Sequence, residues 1–174
     1  FEEKDVSMVD SFKRMFTEGK VSGQVRAMYD GYNQEEIDVD DAYSTAFGGI
    51  LKYELAEFIG FSAGVAVYTS HNLSFATGGG VKQTDEISSK SGSYTEMAEA
   101  YVNYKYEDFN FRAGRQVLDT PLADSDDRSM IKNTFNAYVL SYSNSGFEFM
   151  AGNIQSWQGV DAGLDEPWLD TGSN

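Results

Sequence analysis

No cysteine occurs in the sequence, which removes disulfides, thiolate catalysis and cysteine-based metal sites. The one histidine, His71, stands beside Asn72 at a strand end with no second imidazole to share a metal. It reads as a surface residue, and no acyl-transfer triad can be assembled around it. Prolines number two, and Leu and Ile, the usual fillers of a globular interior, are sparse. No apolar run approaches the roughly 18 residues of a membrane-crossing helix. Basic residues are scarce as well: 13 Lys and Arg stand against 28 Asp and Glu, for a net charge of -15. So few scattered cations do not make the basic surface that a phosphate backbone requires, which argues against nucleic acid as a partner. Gly78-Gly79-Gly80 followed by Lys82 lacks the spacing of a phosphate-cradling loop. Glu96 and Glu99 fall on opposite strand faces by alternation, so they do not form the carboxylate pair of a glycosidase. The chain is not expected to be an enzyme.

What the sequence has in abundance is aromatic residues and alternation. Between Tyr94 and Gln116, Ala98, Ala100, Val102, Tyr104 and Tyr106 alternate with Glu99, Tyr101, Asn103 and Lys105. After Glu107-Asp108, Phe109, Phe111 and Ala113 alternate with Asn110, Arg112 and Gly114. A period of two places each set on one side of a pleated sheet. The same pattern runs through Val21 to Tyr29, Phe47 to Tyr53, Phe61 to Val67, Phe135 to Val139 and Phe147 to Ala151, giving seven strands. In the sixth, Phe135, Ala137 and Val139 form the apolar set, with Asn136 and Tyr138 opposite. Ahead of them Val6, Val9, Phe12, Met15 and Phe16 recur at helical spacing and Gly19 supplies a stop, which predicts a short amphipathic helix.

The connections alternate in length: long after the first, third, fifth and seventh strands, short after the second, fourth and sixth. Aromatics bracket every short turn: Tyr53, Phe58 and Phe61; Tyr104, Tyr106, Phe109 and Phe111; Tyr142, Phe147 and Phe149. Such an order fits an up-and-down membrane barrel with short periplasmic turns, long extracellular loops and an aromatic girdle. A soluble β-sandwich or barrel with the aromatics in its core is the alternative. Seven strands leave a membrane barrel unclosed, since lipid tolerates no open sheet edge. The chain therefore reads as an incomplete barrel: residues 1–19 as a periplasmic helical lead-in, and 20–174 as the N-terminal part of a single barrel that stops in an extracellular loop.

The segments GKVSGQVRAMY, FGGILKYELAEFIGFSAGVAVYT, EMAEAYVNYKY and NFRAGRQVLDTPLADSDDRSMIKNTFNAYVL together resemble OprD-like outer-membrane porins, in particular the major porins typical of epsilon-proteobacteria. The most specific piece is GRQ with DTPLADSDD and NTF, residues 114 to 135. The resemblance implies an all-β transmembrane, antiparallel up-and-down barrel of about 18 strands, of which roughly the first seven are here. It further implies passive diffusion of small hydrophilic solutes or ions, a place in the bacterial outer membrane among lipid and lipopolysaccharide, and a homotrimer. A non-transporting barrel acting as an adhesin or surface anchor is the competing function, with the soluble β-sandwich binding module behind it.

The resemblance also implies a ladder of basic residues on the barrel wall and an inward-folded third extracellular loop. On the polar parity the ladder candidates are Arg26, Lys52, Lys105 and Arg112, and Glu99, Asn103 and Glu148 complete the candidate pore lining. Glu99 and Glu148 are positioned to pair with Lys105 or Arg112 across neighbouring strands. Arg115 falls on the apolar parity, at the interface or at a bulge. In the loop from Asp119 to Asn133, the candidates to narrow and charge the pore are Asp119, Asp124, Asp126, Asp127 and Arg128. Mixed charge at a constriction filters solutes without any covalent step. No cofactor is expected beyond Ca²⁺ or Mg²⁺ held loosely at acidic loops, where Asp38, Asp40 and Asp41 are the candidates alongside Asp124, Asp126 and Asp127. Neither cluster has the calcium-loop spacing, and a solvated acidic loop is the competing reading. Trp157 and Trp168 read as interface anchors.

Overall fold

The computed structural model describes residues 7–32, 42–73, 93–159 and 169–170. Helix α1 (Met8–Thr17) leads into β1 (Lys20–Tyr32), β2 (Ala42–Glu54), β3 (Phe61–Asn72), β4 (Ser93–Tyr106), β5 (Phe109–Gln116), β6 (Thr134–Asn144), β7 (Phe147–Gln158) and the two-residue β8 (Leu169–Asp170). Every strand is antiparallel to its predecessor, so the order in the sheet is the order in the chain. The expected all-β, up-and-down arrangement with a short N-terminal helix is the one that folds. β8 is an addition, lying in what the sequence reading assigns to an extracellular loop and pairing with Ser156 and Trp157 of β7.

The local chemistry explains the joints. Ser7 caps α1 by accepting the Val9 N–H, and Asp10 and Arg14 sit at the ends that suit their charges. Between β6 and β7 the two-residue turn Ser145-Gly146 has φ of 51° and 82°. Positive φ at both positions matches the turn to the right-handed strand twist, and Gly146 takes it without a Cβ penalty. The β4–β5 turn places Glu107 at φ 50°, and Asp108 then accepts a hydrogen bond from Asn144 of the neighbouring hairpin.

Alternation sorts the strands into two unlike faces. Val21, Val25, Phe47, Leu51, Phe61, Val65, Val67, Val102, Phe109, Phe111, Leu140 and Phe149 point outward and are largely exposed; Val25 is 74% so. The opposite face is covered by the segment between β5 and β6, residues 117–133, which folds back over the sheet. Met130 and Ile131 are both 0% exposed: Met130 packs with Ala46 and Met28, and Ile131 with Ala66, Tyr68 and Ala98. At its other end Leu118 and Ala123 pack with Phe135, Ala137 and Val139, flanked by Ile154 and Trp157. A single 17-residue segment thus touches the walls of β1 through β4, β6 and β7. That requires the sheet to curve around it.

Three expectations from the sequence are overturned. In β4, two residues, Ala98 and Glu99, stand where β3 supplies only Ala66 before the pairing resumes at Val67 and Met97. This bulge turns Ala98 to the inner face instead of the outer one, and it puts Glu96 on the same face as Glu99. In β6 the apolar set Phe135, Ala137 and Val139 faces inward and Tyr138 and Leu140 face outward, because Val139 pairs with the inward Arg112, and Leu140 with the outward Phe111. Apolar residues are needed on that inner wall because Leu118 and Ala123 dock there. Trp157, expected at the interface, stacks on Phe135 at 6.4 Å beneath the same loop. Trp168 lies outside the described residues.

The loop is held by few apolar anchors, so removing one should release it. Ile131→Ala is expected to weaken docking by about 2–5 kcal/mol, read as faster protease cleavage within 117–133 while the strands stay protected. Unchanged cleavage would show that Ile131 does not anchor the loop.

Candidate functional site

The inner face and the loop enclose a charged site, and its geometry follows from small residues on β3. Lys52 of β2 and Glu99 of β4 both lie opposite Ala66. With only a methyl between them they meet across β3: Lys52 Nζ is 2.8 Å from Glu99 Oε2. Tyr68 donates its hydroxyl to the other oxygen, Glu99 Oε1, at 2.7 Å. Gly64, one step along the same face, lies between Glu54 and Tyr101. The Tyr101 hydroxyl donates to Glu54 Oε1 at 2.7 Å, and a Cβ at position 64 would fall 2.6 Å from the tyrosine ring. The Arg112 guanidinium lies 4.4 Å over that ring and its Nε donates to Asn103 Oδ1 at 3.2 Å, while Asn103 donates to Asn110. Basic, acidic and aromatic side chains therefore form one connected band from β2 to β5.

Arg26 of β1 ties this wall to the loop. Its Nη1 donates to the Ser129 carbonyl at 2.6 Å, its Nη2 donates to Asp127 Oδ1, and Gln24 accepts from it at 3.2 Å. Lys132 Nζ lies 3.2 Å from the second Asp127 oxygen. Asp127 is therefore a loop carboxylate clamped between one wall cation and one loop cation. Desolvation pushes its pKa up, but the hydrogen bonds from Arg26 and Lys132 outweigh that and hold it below the usual carboxylate value. Between the loop and the wall lies a cavity of about 360 Å³ bordered by Ser22, Gln24, Lys52, Tyr68, Glu99 and Lys132.

The other loop carboxylates have different work from the one the sequence suggested. Asp119 accepts the Ser125 N–H at 3.1 Å and Asp124 accepts that of Asp126 at 3.0 Å. Thr120 closes the turn over Pro121 by accepting the Leu122 and Ala123 N–H groups. Asp126, at φ 43°, takes two hydrogen bonds of 2.6 Å from Arg128, which hold its carboxyl below the usual range. The DTPLADSDD motif thus folds the loop, and of its acidic residues Asp127 reaches the wall. No group of three or more His, Asp or Glu side chains suited to a metal ion occurs among the described residues. Asp38, Asp40 and Asp41 lie outside them.

Of the wall candidates, Arg26, Lys52, Glu99, Asn103 and Arg112 share the inner face and are linked as described. Lys105 and Glu148 share that face nearer the short turns and form no ion pair among the described residues. The expected pairing of Glu99 with Lys105 or Arg112 is replaced by its bond to Lys52, because the smallness of Ala66 opens the route across β3 and not along β4. Arg115 does point outward, and the β4 bulge explains it: its Nη1 donates to the Met97 carbonyl beside the bulge at 3.1 Å. Sequence reasoning missed Tyr68, Tyr101, Glu54 and Lys132. The signal for the first three was the run of small residues, Gly64 and Ala66, on the inner parity of β3.

No protein-family model and no curated protein matches the chain. Among solved structures the chain is similar to OccAB1 of Acinetobacter baumannii, with a TM-score of 0.66 and 18% identity over 82% of this chain. The match covers 35% of that protein, so this chain spans about a third of its length. At that identity the likeness is one of fold: a partial antiparallel up-and-down barrel.

The Asp127 clamp makes loop docking acid-sensitive. A carboxyl held below its unfolded value of about 3.9 contributes fully above that pH and loses its contribution as pH falls through the lower folded value. Protease protection of residues 117–133 is expected to be constant from neutral pH to about 4 and to fall below it, measured with an acid-active protease. Asp127→Asn should lower protection at neutral pH and flatten the acid limb; an unchanged acid limb would exclude Asp127 as the group responsible.

Proposed function

We propose that this chain is part of an outer-membrane porin of the OprD-like type, in the branch typical of epsilon-proteobacteria, which passes small hydrophilic solutes or ions by passive diffusion. The observation that carries the proposal is the reversal of polarity across the sheet. An exposed apolar face of this extent is a liability in water and a requirement in lipid. Behind it, Arg26, Lys52, Glu99 and Arg112 occupy the face that a water-filled lumen would wet. Exposed Tyr104, Tyr106, Phe109, Phe111, Phe147 and Phe149 gather at the short-turn end as a girdle would. The OccAB1-like fold and the motif at residues 114 to 135 support the same reading.

β1 and β8 end the described sheet with one neighbour each. In lipid their free edges require partners, so further strands close the barrel, to about 18 in all. The loop 117–133 then stands inside the pore as its constriction. Opposed charges, Asp127 of the loop against Arg26 of the wall and Lys132 of the loop itself, set the local field a permeating solute meets. No covalent step is involved. Assembly as a homotrimer, as the resemblance implies, is part of the proposal.

The full-length protein in a planar bilayer is expected to give discrete conductance steps; their absence would favour a surface barrel without transport. Arg112→Glu should shift the reversal potential in a salt gradient toward cation preference, since it reverses a charge on the inner face. An unchanged reversal potential would remove Arg112 from the filter.

A further inference from the structure

α1 lies against the short-turn end of the sheet, and its contacts show on which side. The Tyr53 hydroxyl donates to the Phe16 carbonyl at 2.6 Å, and the Ala56 N–H donates to the Met15 carbonyl at 2.9 Å. Tyr53 pairs with Val21 and Val65, both on the outward face. The Phe12 ring packs edge-on against Phe58 at 5.7 Å. Phe58 is bridged to Phe61, whose ring lies 4.5 Å from that of Tyr104 on the outward face. Residues directly opposite in an antiparallel pair project to one side, so Phe58 is outward too. The helix therefore sits on the apolar side of the sheet and outside the lumen.

Its own surface is two-sided. Met8, Val9, Phe12 and Phe16 recur at helical spacing and remain half or more exposed after docking. Asp10, Lys13, Arg14 and Thr17 occupy the other side, with ion pairs from Lys13 to Asp10 and from Arg14 to Glu18. The apolar side continues into Ile59, Phe61, Tyr104 and Tyr106, the exposed aromatic and apolar rim of the sheet. A helix with one strongly apolar and one charged side is the kind that lies in the plane of a membrane interface.

We propose that α1 is an interfacial helix lying in the headgroup region of the leaflet at the short-turn end. Met8, Val9, Phe12 and Phe16 enter the acyl boundary, and Asp10 and Lys13 face water. The inference rests on the barrel reading above and adds to it a second element in contact with phospholipid. It makes the helix an anchor that fixes the depth of the β1–β3 edge in the bilayer, where a free periplasmic lead-in would fix nothing.

This chain has no cysteine, so single nitroxide labels are placed at Val9→Cys, Lys13→Cys and Val65→Cys in the full-length protein, any cysteine elsewhere in it replaced by serine, reconstituted in vesicles of phosphatidylcholine and phosphatidylglycerol. Collision with oxygen, which concentrates in the acyl region, is compared with collision with a water-soluble nickel chelate. The expected result is oxygen preference at Val65 and, at shallower depth, at Val9, with nickel preference at Lys13. Nickel preference at Val9 with oxygen preference kept at Val65 would overturn the interfacial helix and leave the barrel reading standing. Exclusion of both reagents from Val9 would also overturn it, placing the helix against protein, such as a second copy of the chain. Nickel preference at Val65 would overturn both readings.

Discussion

In a membrane barrel of the proposed kind every strand must satisfy two solvents at once, because successive side chains point to opposite faces while the backbone bonds only to its neighbours in the sheet. That constraint sets the rest. It forces the outward residues to be Val, Leu, Phe and Tyr and leaves the inner parity free to carry charge. It also directs the apolar residues of the long 117–133 loop inward, since a covered wall is where Met130 and Ile131 can be buried. The curvature of the sheet and the enclosure of the loop are two descriptions of one packing solution.

Within that solution, size on one strand decides the wiring of the others. Gly64 and Ala66 leave β3 low enough for side chains of β2 and β4 to meet above it, which yields Lys52 with Glu99 and Glu54 with Tyr101. Glu99 is nearly fully buried, and a buried carboxylate persists only with its partners in place. Lys52 and Tyr68 supply them. The loop joins this wall through Arg26, whose guanidinium engages a backbone carbonyl and the Asp127 carboxylate together. The wall residues thus orient the loop, and the loop limits the space beside the wall.

Much of this was legible in the sequence, and the misses have physical causes. β1, β2, β3 and β5 keep strict alternation, and so does β7 up to Ile154, so their faces could be read directly; beyond Ile154 the extra residue Gln155 shifts the parity and turns Trp157 inward onto Phe135. β6 misled because its inner side is apolar for the sake of Leu118 and Ala123, a tertiary demand that no local period records. β4 misled because one extra residue at Ala98 shifts the parity of everything before it, and that same bulge accounts for the otherwise discordant Arg115. The loop's acidic run looked like a filter or a cation site. Most of those carboxylates instead accept backbone N–H groups or bind Arg128, interactions that depend on the turn geometry and not on composition.

The central claim is that neighbouring residues of one strand face lipid and water in turn. It is tested most directly with single cysteines at Val102 and at the exposed Lys105, on opposite faces of β4, in the protein reconstituted in membranes and treated with a small, water-soluble, membrane-impermeant thiol reagent. Fast labelling is expected at Lys105 and protection at Val102. Equal labelling, or the reverse order, would contradict it.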